Sequence, residues 1–305
     1  MDLSVLFMQM SILVLIMAAG FAARRFHIID SESKGHLTRL LLKLTLPAVM
    51  IASMTGSPIA VSPADVPHIF LVIAFSFLLM IALSFVIVRL LPLSKGVRPI
   101  YSAIAIFGNT NFMGIPLTYA FFGEVAMLYA ILYNIVFNLL IFSLGMWLIG
   151  GNQTKVSLSL FFSPLMVSSF LALFFFLFDI QFPTVLHRSI HLLGSITTPA
   201  AMLLIGAMLA EMNFKVMFQG FWMYFMVFMR LLLLPFAVYL TLRPFSLDPL
   251  LLQVIMLMSA TPVAISIAMF AINYNKEQEL VAKSIFLSTL LSVFTMPLIL
   301  MLLFS

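Results

Sequence analysis

Apolar runs long enough to span a bilayer as a helix, about twenty residues each, recur along the chain. Short clusters of charge, proline and glycine separate them. The pattern predicts spans near 4–23, 37–55, 68–91, 98–121, 125–149, 158–178, 191–210, 216–240, 248–272 and 282–304. Within each run the apolar residues are continuous. The polar/apolar alternation of a membrane barrel strand is missing, so helices are the expected way to pair every backbone group in lipid. The first run carries Asp2 before it and Arg24 and Arg25 after it. A cleavable leader has the opposite polarity, so this run is read as a retained span with its N-terminus outside.

Composition strengthens this reading. The 305 residues are 64% hydrophobic and only 8% charged, against about 25% charged in soluble domains. The net charge of +5 is distributed by side rather than clustered into a nucleic-acid stripe, and no nucleic-acid partner is expected. The loop side holding the first connection collects Arg24, Arg25, Lys34, Arg39, Lys43, Arg89, Lys95, Arg98, Lys155, Lys215, Lys276 and Lys283. The other side holds Arg188 and Arg243. The positive-inside rule makes the first side cytoplasmic. Both termini then lie outside, periplasmic or extracellular to a bacterial inner (plasma) membrane, which requires an even number of spans. Lys43 sits less than two turns into its span and is expected to snorkel to the cytoplasmic face.

The two halves resemble each other. Leu46-Pro47-Ala48-Val49-Met50 in the second span parallels Thr198-Pro199-Ala200-Ala201-Met202 in the seventh. The fourth and ninth spans both open on a proline, Pro99 and Pro249, and both are interrupted midway. The expected fold is therefore an all-α membrane protein of ten transmembrane helices in two inverted five-helix repeats, with broken crossover helices 4 and 9. Residues 1–149 form the first repeat, 150–157 a short cytoplasmic linker and 158–305 the second. Inverted repeats with interrupted helices at matching positions mark the binding sites of secondary transporters.

The interruptions read Gly108-Asn109-Thr110-Asn111-Phe112-Met113-Gly114-Ile115-Pro116 and Ser259-Ala260-Thr261-Pro262-Val263-Ala264-Ile265-Ser266. Proline removes a donor, glycine weakens the helix, and Asn, Thr and Ser offer the backbone other partners. Such breaks survive in a membrane only where buried in protein or lining a cavity. The N-terminus of a half-helix suits a carboxylate. Candidate substrate contacts are Asn109, Thr110, Asn111, Gly114, Pro116, Thr261, Pro262 and Ser266. Pro47, Pro199 and Pro297 are read as ordinary kinks. Arg230, about ten residues from either end of its span, is too deep for easy snorkelling. An intramembrane charge is a functional candidate by default. Two readings of it stand: an anion-attracting group in the cavity, or a strut bonding helix-end carbonyls.

Other chemistry is missing. The chain has no cysteine, and its five histidines (His27, His36, His68, His187 and His191) fall near span ends or in loops. No Walker A, HExxH or nucleophile-elbow pattern is present. Neither an enzyme, a cofactor nor a metal centre is expected. A coupling ion, proton or sodium, and a homodimer are left open.

At the breaks the sequence resembles the auxin efflux carrier family, in its small bacterial members. Asn109-Thr110 followed by Met113-Gly114-Ile115-Pro116-Leu117 matches an Asn-Thr-x-x-Met-Gly-Ile-Pro-Leu run of plant members. Pro262 and Phe270-Ala271-Ile272-Asn273-Tyr274-Asn275 extend the likeness. The resemblance implies that helices 4 and 9 cross near the substrate and that Asn109 is the crossover asparagine. It also implies that helices 1, 2, 6 and 7 form a scaffold in an elevator-like cycle. It implies a secondary transporter of small organic anions, mono- or dicarboxylates such as malonate, malate or lactate. Two departures separate the chain from plant members. The long central loop is reduced to about Gly150 to Val156, and Thr261-Pro262-Val263-Ala264 stands where they tend to carry Pro-Gln-Gly. Auxin itself is therefore not expected. The alternatives are a sodium-coupled bile-acid-like carrier, another inverted-repeat transporter of a non-carboxylate solute, and a membrane sensor or enzyme.

Overall fold

A computed structural model describes residues 3–56, 61–151, 154, 162–211 and 221–304. The linker expected at 150–157 lies largely outside the described residues, as do the starts of the sixth and eighth predicted spans.

The described chain is helical. Its helices are α1 (Leu3–Arg25), α2 (Ser31–Thr55), α3 (Pro63–Leu90), α4 (Arg98–Ile106), α5 (Ile115–Phe122), α6 (Glu124–Gly150), α7 (Pro164–Leu177), α8 (Thr184–Ala210), α9 (Phe221–Phe245), α10 (Pro249–Ser259), α11 (Ile265–Asn273) and α12 (Gln278–Phe304). Among the described residues, six helices are long and apolar enough to cross a membrane: α2, α3, α6, α8, α9 and α12. The outward face of α3 shows the solvent it needs. Leu71, Phe75, Leu78 and Val86 are exposed while Ile73, Phe77 and Met80 are buried. A helix apolar on both faces needs lipid on its outside.

α2 and α8 begin furthest ahead of the starts that hydropathy predicts. α2 starts at Ser31, not 37, because Asp30 caps it by accepting from the Ser33 backbone N–H at 2.7 Å. That bond is the main reason the Asp30 carboxyl is held below its ordinary pKa. α8 starts at Thr184, directly after Pro183. In both cases the helix continues beyond the apolar stretch that hydropathy detects.

The chain divides into two compact units. The first comprises Met1–Phe70, Asn111–Ile135 and Leu158–Met212. In it α1 and α8 lie backbone to backbone. A β-carbon on Gly20 would fall 2.2 Å from the Leu203 carbonyl oxygen, and one on Gly206 would fall 1.9 Å from that of Met17. Small residues permit this approach, which is how membrane helices gain packing without a hydrophobic drive. α2 is pressed against α8 in the same way, since a Gly194 β-carbon would lie 2.8 Å from Val49 Cα. Glu211 at the end of α8 pairs with Arg24 at 3.0 Å and with Lys34. Both α2 and α8 are irregular just before their prolines. α2 widens to a π-turn over Leu41–Thr45, and α8 is interrupted at Ile196. Thr45 and Thr197, each two residues before the proline, bury a hydroxyl that has no partner.

The second unit comprises Leu71–Thr110, Val136–Ser157 and Asn213–Ser305. Met223, Val227 and Leu231 of α9 form its apolar core with Leu287 of α12. Phe107 meets Phe137 edge to face, and Phe142 meets Phe270 likewise.

Candidate functional site

Both expected interruptions exist, and their boundaries follow from the residues. α4 has Pro99 in its first turn and ends at Ile106, where Phe107 turns extended. A π-turn spans Thr110–Gly114 before α5 begins with Pro116 in its first turn. α10 is capped by Asp248, has Pro249 in its first turn and ends at Ser259, with Ala260 as its C-cap. α11 begins after Ala264, whose side chain supplies no cap.

Backbone groups freed by one break find partners in the other. Gly108 and Val263 form an isolated antiparallel bridge. The Asn109 N–H donates to the Pro262 carbonyl at 2.6 Å, and the Ala264 N–H donates to that of Phe107 at 2.9 Å. Val263 donates to Ser288 Oγ of α12 at 3.0 Å. Two unwound segments thus supply each other with the partners that lipid cannot.

Arg230 completes the accounting. It stands in a π-turn of α9, Met229–Leu233, and is 1% exposed. Its Nη1 donates to the carbonyls of Ile106 at 2.8 Å and Ala105 at 3.2 Å. Its Nε donates to the Thr261 carbonyl at 2.9 Å, and Nη2 to Thr261 Oγ1 at 3.3 Å. A cation is thereby set against the negative end of α4 and the carbonyl following α10. Gly108 is required beside it, because a β-carbon there would lie 1.9 Å from Arg230 Nη2 and 2.2 Å from Thr261 Oγ1.

The predicted site residues divide between the two units. Asn109, Thr110, Thr261, Pro262, Ser266 and Arg230 belong to the second; Asn111, Gly114 and Pro116 belong to the first. Asn109, Thr110, Thr261 and Pro262 are buried, and Ser266 is half-buried in the first turn of α11. The Thr110 hydroxyl is buried without a partner. Asn111 is half-buried, and its Oδ1 accepts from Asn134 Nδ2 of α6 at 2.5 Å. The Gly114 carbonyl accepts from Thr118 Oγ1, and that of Pro116 from Thr198 Oγ1 at 3.1 Å.

Three features escape the sequence reading. Asn134 and Asn138 are buried on α6 one turn apart. Polar amides inside an apolar run were the available signal. Tyr119, Glu124 and His191 come together in the first unit. The tyrosine hydroxyl is 3.0 Å, and the glutamate Oε1 3.2 Å, from His191 Nε2. Ser288 could be found only from the tertiary structure.

Residues 5–158 and 152–300 match the membrane transport protein family. An uncharacterized transporter of Methanothermobacter thermautotrophicus is 24% identical over 293 residues, covering 95% of each chain. An uncharacterized transporter of Methanocaldococcus jannaschii is 23% identical over 301 residues, covering 94% of this chain and 95% of its own.

Proposed function

The chain belongs to the membrane transport protein family, the group of the auxin efflux carrier resemblance, and from that premise we propose that it is a secondary carrier of small organic anions, mono- or dicarboxylates. The observation that carries this reading is the crossover. Two interrupted segments are stitched together by backbone bonds from Asn109 and Ala264. An arginine lies in the same cluster, and the half-helix α11 starts there without a side-chain cap. Its first N–H groups carry the positive end of the helix dipole, which suits a carboxylate. The buried Thr110 hydroxyl adds a hydrogen-bonding group with no protein partner.

The proposal includes ten spans in two inverted repeats, a plasma-membrane location and both termini outside. The irregularities before Pro47 and before Pro199 support the repeat, because they fall at matching positions of its halves. Alternating access by an elevator-like displacement is supported by the grouping of helices. One unit gathers α1, α2, α7 and α8, the expected scaffold; the other holds α4, α9, α10, α11 and α12. Residues 111–135 fall with the scaffold group, which the resemblance alone did not suggest.

Uptake of radiolabelled malonate, malate and lactate into proteoliposomes tests the substrate class. Wild-type protein is expected to move at least one of them. Asn109→Ala is expected to abolish the flux while leaving expression largely intact; the bond to Pro262 is made by the Asn109 backbone and survives the substitution. Transport of a neutral or cationic solute with no carboxylate flux would overturn the reading.

A further inference from the structure

We propose that Asn134 is a specificity-determining residue that holds the Asn111 amide with its donor edge outward, so that this position accepts only hydrogen-bond acceptors. The inference rests on the carboxylate reading above and assigns one part of its selectivity. Both residues belong to the same compact unit.

A primary amide has two unlike edges: a carbonyl oxygen that accepts and an NH2 group that donates twice. Unrestrained, such a side chain turns over and serves donors and acceptors alike. Here it is restrained. Asn134 Nδ2 donates to Asn111 Oδ1 at 2.5 Å. Asn134 is fully buried, at 0% exposure, in the middle of α6, where Tyr133 and Ile135 on either side are buried as well. Asn134 also makes further interactions, so its own rotation disturbs more than one bond. Asn111 differs in being half-buried and in lying in the π-turn that follows the break, Thr110–Gly114. Its Oδ1 is committed to Asn134. What it presents away from α6 is therefore the Nδ2 donor pair. A donor that a bound solute buries without an acceptor is costly. A carboxylate oxygen matches that edge; an amide NH2 meets it donor to donor. Discrimination of this kind, in which a polar partner is matched or left unpaired, is stronger than any that apolar shape supplies.

The test compares an acid with its amide, lactate against lactamide, in proteoliposome flux. Malonate against malonamide serves as a second pair. Wild-type protein is expected to favour the acid. In Asn134→Leu the Asn111 amide is free to turn, and the acid-over-amide ratio is expected to fall about tenfold, the scale of one hydrogen bond to a charged group. A purely structural role for Asn134 would lower both fluxes together and leave the ratio unchanged, and that result overturns the inference. Asn111→Asp is the second variant, for use even if Asn134→Leu does not fold. It keeps the bond from Asn134 but replaces the donor edge with an acceptor. Carboxylate flux is expected to vanish; flux at the wild-type rate overturns the inference. Wild-type protein that moves no carboxylate removes the substrate reading itself. A wild-type carboxylate flux with an unchanged ratio in Asn134→Leu removes only the role of Asn134.

Discussion

Replacing Arg230 with methionine separates the two roles that an intramembrane arginine can have. Methionine keeps a long apolar stem and removes the guanidinium. Three buried carbonyls, those of Ala105, Ile106 and Thr261, lose a donor at 2.8–3.2 Å. Hydrogen bonds to a charged group contribute about 1.5–3 kcal/mol each, which sets the gross loss at roughly 4.5–9 kcal/mol on the same scale. Burying the charge costs several kcal/mol, and the substitution recovers that part. The net loss expected is about 3–5 kcal/mol, the range for removing one member of a buried charged network. Arg230→Lys keeps the charge but not the fork, so it serves fewer of the three carbonyls and is expected to fall between. The assay is unfolding of the purified protein in detergent, with carboxylate flux measured in parallel. Wild-type stability in Arg230→Met together with lost carboxylate flux would refute the strut reasoning and make Arg230 a substrate contact.

Other substitutions test the neighbouring geometry. Gly108→Ala drives a β-carbon into Arg230 Nη2 and Thr261 Oγ1. It is expected to cost about 1–3 kcal/mol as overpacking; combined with Arg230→Met the effect should be less than additive, because the clash with the guanidinium is gone while that with Thr261 Oγ1 remains. Gly206→Val pushes α1 off the Met17 carbonyl and is expected to lower the unfolding temperature clearly, while an exposed change such as Leu192→Val on the same helix leaves it nearly unchanged. Thr45→Val and Thr197→Val each remove a buried hydroxyl that lacks a partner. The sign expected is stabilisation, about 1 kcal/mol each, read from the same unfolding curves; a loss in both would show that the hydroxyls are bonded in solution.

The interruptions were legible in the sequence because they are local: Gly108, Asn109, Pro116, Thr261 and Pro262 break a helix wherever it lies. Their pairing was not. The Asn109-to-Pro262 bond joins residues far apart in sequence, and no local preference names the partner. The same holds for Arg230. Its depth could be counted along the span, but the carbonyls it serves belong to α4 and to the segment after α10. Asn134 was missed for a different reason. One amide in a long apolar run barely changes the hydropathy of its window, and its meaning comes only from Asn111 beside it. The cluster of Tyr119, Glu124 and His191 shows the limit most clearly. Each residue sits near a span end, where a polar side chain needs no explanation, and only the tertiary structure makes them neighbours. The early starts of α2 and α8 were lost because hydropathy locates the membrane, while helices continue into water where caps allow it.

The burial of Arg230 has an electrical consequence. Its guanidinium carries a fixed positive charge, and the carbonyls of Ala105, Ile106 and Thr261 accept from it. In the elevator-like cycle proposed above, that fixed charge would travel with the substrate site. A membrane potential acts on it with about 2.3 kcal/mol per 100 mV for a full crossing. A monocarboxylate bound in the proposed site would cancel the charge, leaving the loaded passage nearly indifferent to voltage, and the return without substrate would then be the charged step. Voltage would then set the rate of the step in which nothing is transported.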